Sequence, residues 1–230
     1  MDYRSYLGPY LLGPNDENQG IYTGDARELA TAIPDESVDL IFTDPVYQNI
    51  DDYRWLAETA ARVLNPDSAC LTYFGIGYLP ETTAALSEFL DYEWQHISYM
   101  PTLNRRGAYR TFSNYRGLLE YMKGRAIPYK HTRDLYVDTY KSHNDGHKWT
   151  KHQGLISHYL RVFSPGHGIV FDPFSGGASI PMGCIATSRR WLAFEIDPDT
   201  AERARERVRN TQPPLFMMEP EQQVMDFQQG

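Results

Sequence analysis

Two short turns hold the residues of this chain whose types and spacing could do chemistry. The first carries Asp-Pro-Val-Tyr at residues 44–47, and the second carries Asp-Pro-Phe-Ser-Gly-Gly at residues 172–177. Each turn follows an apolar run that is typical of a buried strand. Ligands of α/β sheets bind just outside the carboxyl ends of the strands. We therefore expect the two turns to form two halves of one pocket, one for a flat ring that bears an amine and one for a nucleoside cofactor.

The first turn has the groups that methyl transfer to a ring amine requires. The lone pair of such an amine is delocalised into the ring, so its nitrogen is a weak nucleophile. Two acceptors on the N–H groups draw the lone pair out of conjugation, and the Asp44 carboxylate and the Pro45 carbonyl can supply them. Tyr47 is placed to stack on the ring, which an enzyme acting on duplex bases must first extrude. An Asp-Pro turn alone also occurs as a simple strand cap, so this motif is weak by itself.

The second turn is typical of a nucleotide-like ligand. Gly176 and Gly177 let the backbone approach a ligand closely, and the following helix start offers free N–H groups. The next strand begins about 20 residues after Asp172 and ends at Glu195, where an acidic side chain commonly binds ribose hydroxyls. No Lys-Ser or Lys-Thr pair follows the glycines, so a triphosphate is not expected.

Hydrophobic periodicity predicts strands and helices that alternate along the chain. The predicted strands are 21–23, 38–42, 69–74, 93–100, 118–122, 168–171 and 191–195. The predicted helices are 26–32, 53–64, 81–90, 155–163, one that starts at 178, and 200–209. This alternation favours a parallel-rich, three-layer α/β sheet. We expect one domain over residues 1–210, a loop-rich insertion at 125–147 and a poorly ordered tail over 211–230.

Composition excludes several classes of protein. With 230 residues, 41% of them hydrophobic and 23% charged, the chain is typical of a globular domain. It has no apolar run of about 18 residues, so no membrane span is expected. The first residues lack the features of a signal peptide. Cys70 and Cys184 are too few for a disulfide framework or a Cys-based zinc site. We expect a reducing cytoplasm and no metal.

Charge is distributed unevenly. The net charge of −8 argues against a general nucleic-acid coat protein, which would be basic overall. Residues 104–151, however, are rich in Lys and Arg, with interleaved Tyr residues. Cations suit phosphates and aromatic rings suit unstacked bases, which favours a nucleic-acid partner for this stretch. We interpret residues 104–150 as a small target-recognition insertion whose phosphate contacts are Arg105, Arg106 and Arg110.

The ordered set of motifs resembles the circularly permuted β-group of amino DNA methyltransferases, in which the catalytic motif precedes the cofactor motif. The matching segments are 23–25, 37–45, 147–152, 172–179 and 195–197. The resemblance covers about residues 21–208, and the ordered combination is far more specific than any one motif. It implies the three-layer Rossmann-like fold of S-adenosylmethionine-dependent methyltransferases, with the motifs in circularly permuted order.

The resemblance also implies a reaction and a set of site residues. The reaction is methyl transfer from S-adenosylmethionine to a base amine of DNA, with the base flipped from the duplex. The implied catalytic residues are Asp44, Pro45 and Tyr47. The implied cofactor-binding residues are Asp25 at the adenine, Ser179 and Lys151 at the methionine end, and Asp172, Phe174, Gly176 and Glu195. An Asp at the head of the catalytic motif favours adenine N6, because cytosine-N4 enzymes more often carry Ser there.

Departures from the family pattern leave alternatives open. Val46 stands where the family has a second Pro, Ala178 replaces its second Gly, and Lys148 and His152 replace two prolines. The alternatives are cytosine-N4 transfer, a degenerate module that binds cofactor or DNA without turnover, and an RNA or small-amine substrate. Neither cysteine follows a proline, which excludes the Pro-Cys nucleophile of cytosine-C5 enzymes. The short recognition segment indicates a small recognition site, a homodimer or a partner.

Overall fold

The computed structural model describes residues 20–99, 113–125, 131–137 and 153–211. In this part of the chain, strands β1 to β8 form one mixed sheet in the order β1-β8-β7-β2-β3-β5-β4-β6. They are β1 (Ile21–Thr23), β2 (Val38–Thr43), β3 (Leu64–Phe74), β4 (Asp91–Tyr99), β5 (Tyr115–Lys123), β6 (Leu135–Val137), β7 (Ile169–Asp172) and β8 (Arg190–Glu195). The first five strands of this order run parallel to one another. Strand β5 is antiparallel to both β3 and β4, and β6 is parallel to β4.

Helices cover both faces of the sheet and bury a separate apolar core on each. One face carries α1 (Ala26–Leu29), α2 (Ile50–Val63) and α3 (Leu79–Leu86), and the other carries α4 (Gln153–Phe163), α5 (Ser179–Thr187) and α6 (Pro198–Arg209). Two 3₁₀ turns, Ala30–Ala32 and Ile76–Tyr78, continue α1 and precede α3. The predicted three-layer α/β arrangement is confirmed.

Local sequence accounts for the helices that border the site. The apolar side of α2 is completely buried at Tyr53, Leu56 and Ala60, which is the pattern of an amphipathic helix on a sheet. Helix α6 starts with Pro198 after Asp197, whose carboxylate accepts a hydrogen bond from the Thr200 N–H at 2.8 Å. A Pro in the first turn preceded by an acidic N-cap is a strong helix-start signal.

The central strands bring two distant parts of the sequence together. β2 pairs directly with β7, with Leu40 opposite Val170 and Ile41 opposite Phe171. The chain continues from β2 to β3 on one side and from β7 to β8 on the other, so the strand order reverses between β2 and β7. A crevice opens at such a switch point beyond the carboxyl ends of the strands. The turns at residues 44–47 and 172–177 therefore lie side by side.

The structure differs from the sequence expectations in two strands. β3 begins at Leu64 rather than residue 69, because its first residues form an irregular stretch in which Asp67 has φ 62° and the register with β2 shifts. β6 lies where a loop-rich insertion was predicted. β5, predicted over 118–122, is observed as Tyr115–Lys123 and places the middle of the segment 104–150 in the sheet. The predicted tail lies outside the described residues from 212 onward.

Two further features are absent from the described ranges. No helix there combines the length and the apolar character needed to cross a bilayer. No group of three or more His, Cys, Asp or Glu side chains there is arranged to hold a metal ion.

Candidate active site

A buried hydrogen bond joins the two turns. The Thr43 hydroxyl at the end of β2 donates to Asp172 Oδ1 at the end of β7, with an oxygen–oxygen distance of 2.7 Å. The two residues are 129 positions apart in the chain. This contact fixes the Asp44-Pro45 turn relative to the Asp172-Phe174 turn, because Thr43 directly precedes Asp44.

Asp172 is a buried carboxyl group that can accept further hydrogen bonds. Its side chain is only 2% exposed, and the Phe174 N–H also donates to its Oδ1 at 3.3 Å. Its other oxygen, Oδ2, has no hydrogen-bond partner among the described residues. Burial raises the pKa of Asp172 to about 7, and the nearby Asp44 and Glu195 carboxylates add to the rise. A buried acceptor without a donor is costly, so Oδ2 suits a cationic or N–H group of a ligand.

Glu195 ties the glycine turn to the end of β8. One carboxylate oxygen accepts the Gly176 N–H and the other accepts the Asp197 N–H, each at 2.9 Å. Gly176 has φ 47°, in the left-handed region that favours glycine, and a Cβ there would meet no atom within 4 Å. Each Glu195 oxygen keeps a further lone pair that a ribose hydroxyl can use. The turn therefore has both the open space and the acceptors that a nucleoside needs.

The other predicted cofactor residues surround this turn. The ring of Phe174 packs edge-on against Trp55 of α2, with 5.7 Å between ring centroids. Ser179 is the first residue of α5, and its carbonyl accepts a hydrogen bond from the Gln153 side chain at 3.1 Å. Asp25 follows β1 beside β8 and caps α1, where its Oδ1 accepts the Arg27 N–H at 2.8 Å. Asp25 is exposed, and its observed contact is this structural cap.

The first turn lines an open cleft of about 300 Å³ whose walls are Asp44, Pro45, Val46, Tyr47 and Arg116. Asp44 is exposed, Pro45 is buried and Tyr47 is half-buried. A carboxylate, a turn carbonyl and an aromatic face are therefore presented to one cleft. This is the combination that the sequence predicts for a ring amine.

Gly75, just after β3, supports the aromatic wall. A Cβ at Gly75 would lie 2.8 Å from the Cβ of Tyr47, closer than real side chains approach. The absence of a side chain at this position thus lets Tyr47 sit where it does.

Sequence reasoning missed three residues that shape the site. Arg116 reaches the cleft because β5 is antiparallel, and strand direction is not visible in a single sequence. Gly75 carries no functional group, so the sequence does not indicate that it makes room for Tyr47. Arg207 of α6 donates to the Gly177 carbonyl and approaches Met182 Sδ at 3.3 Å, which are contacts between distant parts of the chain.

Four predicted site residues lie outside the described residues. They are Lys151, predicted at the methionine end of the cofactor, and the predicted phosphate contacts Arg105, Arg106 and Arg110. Their roles stay predictions.

Comparisons with known proteins identify relatives of one kind. No protein-family model matches the chain. The Type II methyltransferase M.BamHI from Bacillus amyloliquefaciens is 24% identical over 248 aligned positions, which cover 83% of this chain. The chain spans only 57% of the length of that relative.

Solved structures share the fold at low sequence identity. The M1.HpyAVI–SAM complex superposes with a TM-score of 0.68 at 20% identity, covering 82% of this chain and 98% of that one. The putative DNA modification methylase TTHA0409 from Thermus thermophilus, complexed with S-adenosyl-L-methionine, gives 0.68 at 20% identity and covers 84% and 94%. The cytosine-N4-specific PvuII DNA methyltransferase gives 0.66 at 15% identity and covers 83% and 90%.

These findings agree with the α/β fold and with the paired turns at the switch point. The chain is similar in sequence to M.BamHI, and it shares its fold with solved DNA methyltransferases.

Proposed function

We propose that this chain is an S-adenosylmethionine-dependent DNA methyltransferase that methylates an exocyclic base amine, with adenine N6 favoured. The observation that carries the proposal is the Thr43–Asp172 hydrogen bond, which holds the amine-binding turn beside the nucleoside-binding turn. Positioning two reactants in this way is a large part of catalysis of group transfer.

The residues at the second turn fit this cofactor. The unpartnered Asp172 Oδ2 suits its amino group, the open space beside Gly176 admits its sugar, and the Glu195 carboxylate faces the ribose hydroxyls. Phe174 and Asp25 would flank the adenine, and Ser179 would lie near the methionine end. When bound, the cofactor supplies an electrophilic methyl group on a sulfonium. M1.HpyAVI and TTHA0409, which share the fold, were each solved with S-adenosylmethionine.

The first turn would prepare the amine. Asp44 and the Pro45 carbonyl accept hydrogen bonds from the two N–H groups, which localises the lone pair on nitrogen and aims it into the cleft. Tyr47 stacks on the flipped base and keeps it in plane with these acceptors. The Asp44 carboxylate also stabilises the positive charge that develops on the nitrogen during transfer.

Cytosine N4 is the second candidate target. The PvuII enzyme, named as cytosine-N4-specific, shares the fold. Adenine N6 is favoured here because Asp44 heads the catalytic motif. A homodimer, a small recognition site and a role in restriction–modification belong to the same proposal.

The test is direct chemical analysis of the product. Purified protein is incubated with S-adenosylmethionine and unmethylated DNA, which is then digested to nucleosides and analysed by mass spectrometry. N6-methyladenine is expected, and N4-methylcytosine would correct the base alone. Cofactor binding without either product would overturn the proposed activity and favour a binding module or a substrate other than DNA.

An Asp44→Ala variant tests the catalytic assignment. Because Asp44 is exposed and outside the second turn, we expect loss of transfer with the cofactor Kd changed less than about three-fold. A variant that no longer folds would contradict a catalytic role for Asp44.

A further inference from the structure

We propose that Arg116 binds a backbone phosphate next to the target nucleotide and so seats that nucleotide in the cleft. This inference rests on the proposed function and adds a substrate-positioning residue to it. Arg116 lines the cleft together with Asp44, Pro45 and Tyr47.

The position of Arg116 follows from the direction of its strand. β5 runs antiparallel to β3, with Gly117 opposite Phe74, so the start of β5 lies at the edge where the parallel strands end. Arg116 is half-buried there, which limits the motion of its side chain. Its charge and that of Asp44 both act on the Tyr73 hydroxyl, where Asp44 raises the pKa and Arg116 lowers it. The two charges therefore lie near the same buried hydroxyl.

The charge at this edge explains why a cation is needed. Asp172 and Glu195 are the last residues of strands that end here, Asp25 and Asp44 follow two others, and the chain as a whole has a net charge of −8. DNA brings a dense row of negative phosphates, which an exposed Asp44 repels. Among the described residues that line the cleft, Arg116 is the one cation. It offsets this repulsion at the place where the nucleotide must enter.

A phosphate is a better partner for Arg116 than a base edge. In the proposed function, Asp44 and the Pro45 carbonyl bind the amine and Tyr47 stacks on the face of the base, and all three line the same cleft. Phosphate contacts position a protein on DNA through charge, which a lysine also provides, whereas bidentate base recognition needs the planar guanidinium fork. The two roles therefore respond differently to Arg116→Lys.

The experiment compares Arg116→Ala and Arg116→Lys with Arg125→Ala as a matched control. Arg125 is an exposed arginine just beyond the opposite end of β5, so its removal changes the net charge equally. Methylation of unmethylated DNA is measured over a range of salt concentrations, along with cofactor Kd and thermal stability for each variant.

Arg116→Ala is expected to raise KM for DNA roughly ten-fold, as for loss of one charge-assisted hydrogen bond. We expect kcat and cofactor Kd to stay within about two-fold of wild type. The slope of log KM against log salt should decrease in magnitude by about 0.9. Arg116→Lys should retain most of the wild-type KM, and Arg125→Ala should match wild type.

The opposite results are equally clear. A fall in kcat with unchanged KM and salt slope, in both Arg116 variants, would assign Arg116 to the base and overturn the phosphate role. The phosphate role would also be overturned if Arg116→Ala had the same KM and salt slope as Arg125→Ala. A loss of cofactor affinity or of thermal stability large enough to account for the higher KM would overturn it as well. If wild type yields no methylated base, the proposed function itself fails.

Discussion

Gly75 controls the position of an aromatic side chain in the cleft. A methyl group there would lie 2.8 Å from Tyr47 Cβ, so Gly75→Ala must displace the tyrosine. We expect kcat/KM for DNA to fall roughly ten-fold or more, because small misplacements in a site are costly to catalysis. The cofactor Kd should not change, since Gly75 lies away from the second turn.

Gly166→Ala is the matched control, since a Cβ at that exposed glycine would meet nothing within 4 Å. Methylation kinetics and cofactor titrations of both variants check the prediction. Equal activity of Gly75→Ala and wild type would show that Tyr47 does not contact the base.

Ala178 occupies a backbone conformation that favours glycine. It is completely buried and has φ 61°. It stands where the amino DNA methyltransferases that the sequence resembles have Gly. A left-handed conformation costs a non-glycine residue about 1–2 kcal/mol. Ala178→Gly removes that cost. This gain offsets two losses, namely the packing of the methyl group and the entropy that glycine adds to the unfolded chain.

We therefore expect Ala178→Gly to change the free energy of unfolding by less than about 0.5 kcal/mol. Ala201→Gly, at an equally buried position within α6, should cost about 1–2 kcal/mol. Urea unfolding of both variants measures the difference. Equal losses would mean that Ala178 carries no backbone strain.

At the scale of elements, α6 acts as a brace for the second turn. Arg207 donates to the Gly177 carbonyl, and Arg205 donates to the Ile21 carbonyl at 2.8 Å. One helix thus holds both the glycine turn and the edge strand β1. Helical spacing of apolar residues predicts an inner stripe at Ala201, Ala204 and Val208, of which Ala201 and Ala204 are buried. The contacts of the arginines beside this stripe leave no such pattern in the sequence.

Arg207→Ala should loosen the glycine turn and raise the cofactor Kd roughly five- to ten-fold, the effect of losing one charge-assisted hydrogen bond. The maximal rate at saturating cofactor should stay near wild type, because Arg207 does not line the cleft. Arg209→Ala is the control, since Arg209 pairs with Glu202 on the surface of the same helix. Calorimetric titration distinguishes the two, and equal affinities would contradict a bracing role.

Most helices and strands were predictable because their apolar periodicity is strong. α4, predicted over 155–163 and observed as Gln153–Phe163, and β8, predicted over 191–195 and observed as Arg190–Glu195, are examples. β6 was not, because a three-residue edge strand has little pattern of its own and depends on pairing with β4. The first part of β3 contains Asn-Pro-Asp, which is typical of a turn, and β2 pairs with β3 on either side of it, at Leu64 and from Ala69 onward.

At the scale of the whole molecule, Asp172 makes global stability depend on pH. Its folded-state pKa of about 7 lies above the ordinary value of 3.8. The folded state therefore binds one more proton than the unfolded state between these values, and its stability is lost as pH rises through that window. The loss is about 1.4 kcal/mol per pH unit and levels off above pH 7.

Asp172→Asn removes this titration while its side-chain oxygen can still accept the Thr43 hydrogen bond. Between pH 5 and pH 8, the free energy of unfolding of wild type should fall by roughly 2–3 kcal/mol relative to the variant. Denaturant unfolding at several pH values measures this difference. A constant difference between the two proteins would refute the raised pKa.

The raised pKa of Asp172 also makes ligand affinity depend on pH. A cationic ligand at Asp172 binds the ionised carboxylate, so wild-type affinity should increase as pH rises through 7, with a proton released on binding. The variant should bind weakly at every pH.

The pairing of the two turns could be predicted because strand ends converge in any α/β sheet. Which further side chains join them could not, since Arg116 and Arg207 arrive from an antiparallel strand and a late helix. Long-range partners of this kind follow from tertiary packing and leave no local trace in sequence.

The position of β1 has a consequence for biosynthesis. β1 pairs only with β8 among the described strands, and β2 gains its β7 partner only after more than a hundred residues have followed it. During synthesis on the ribosome, β1 and β2 each keep an unpaired edge until nearly the whole described chain has emerged. Unpaired strand edges of this kind favour slow folding and association with other nascent chains. Synthesis rate and chaperone supply should therefore influence the yield of folded protein.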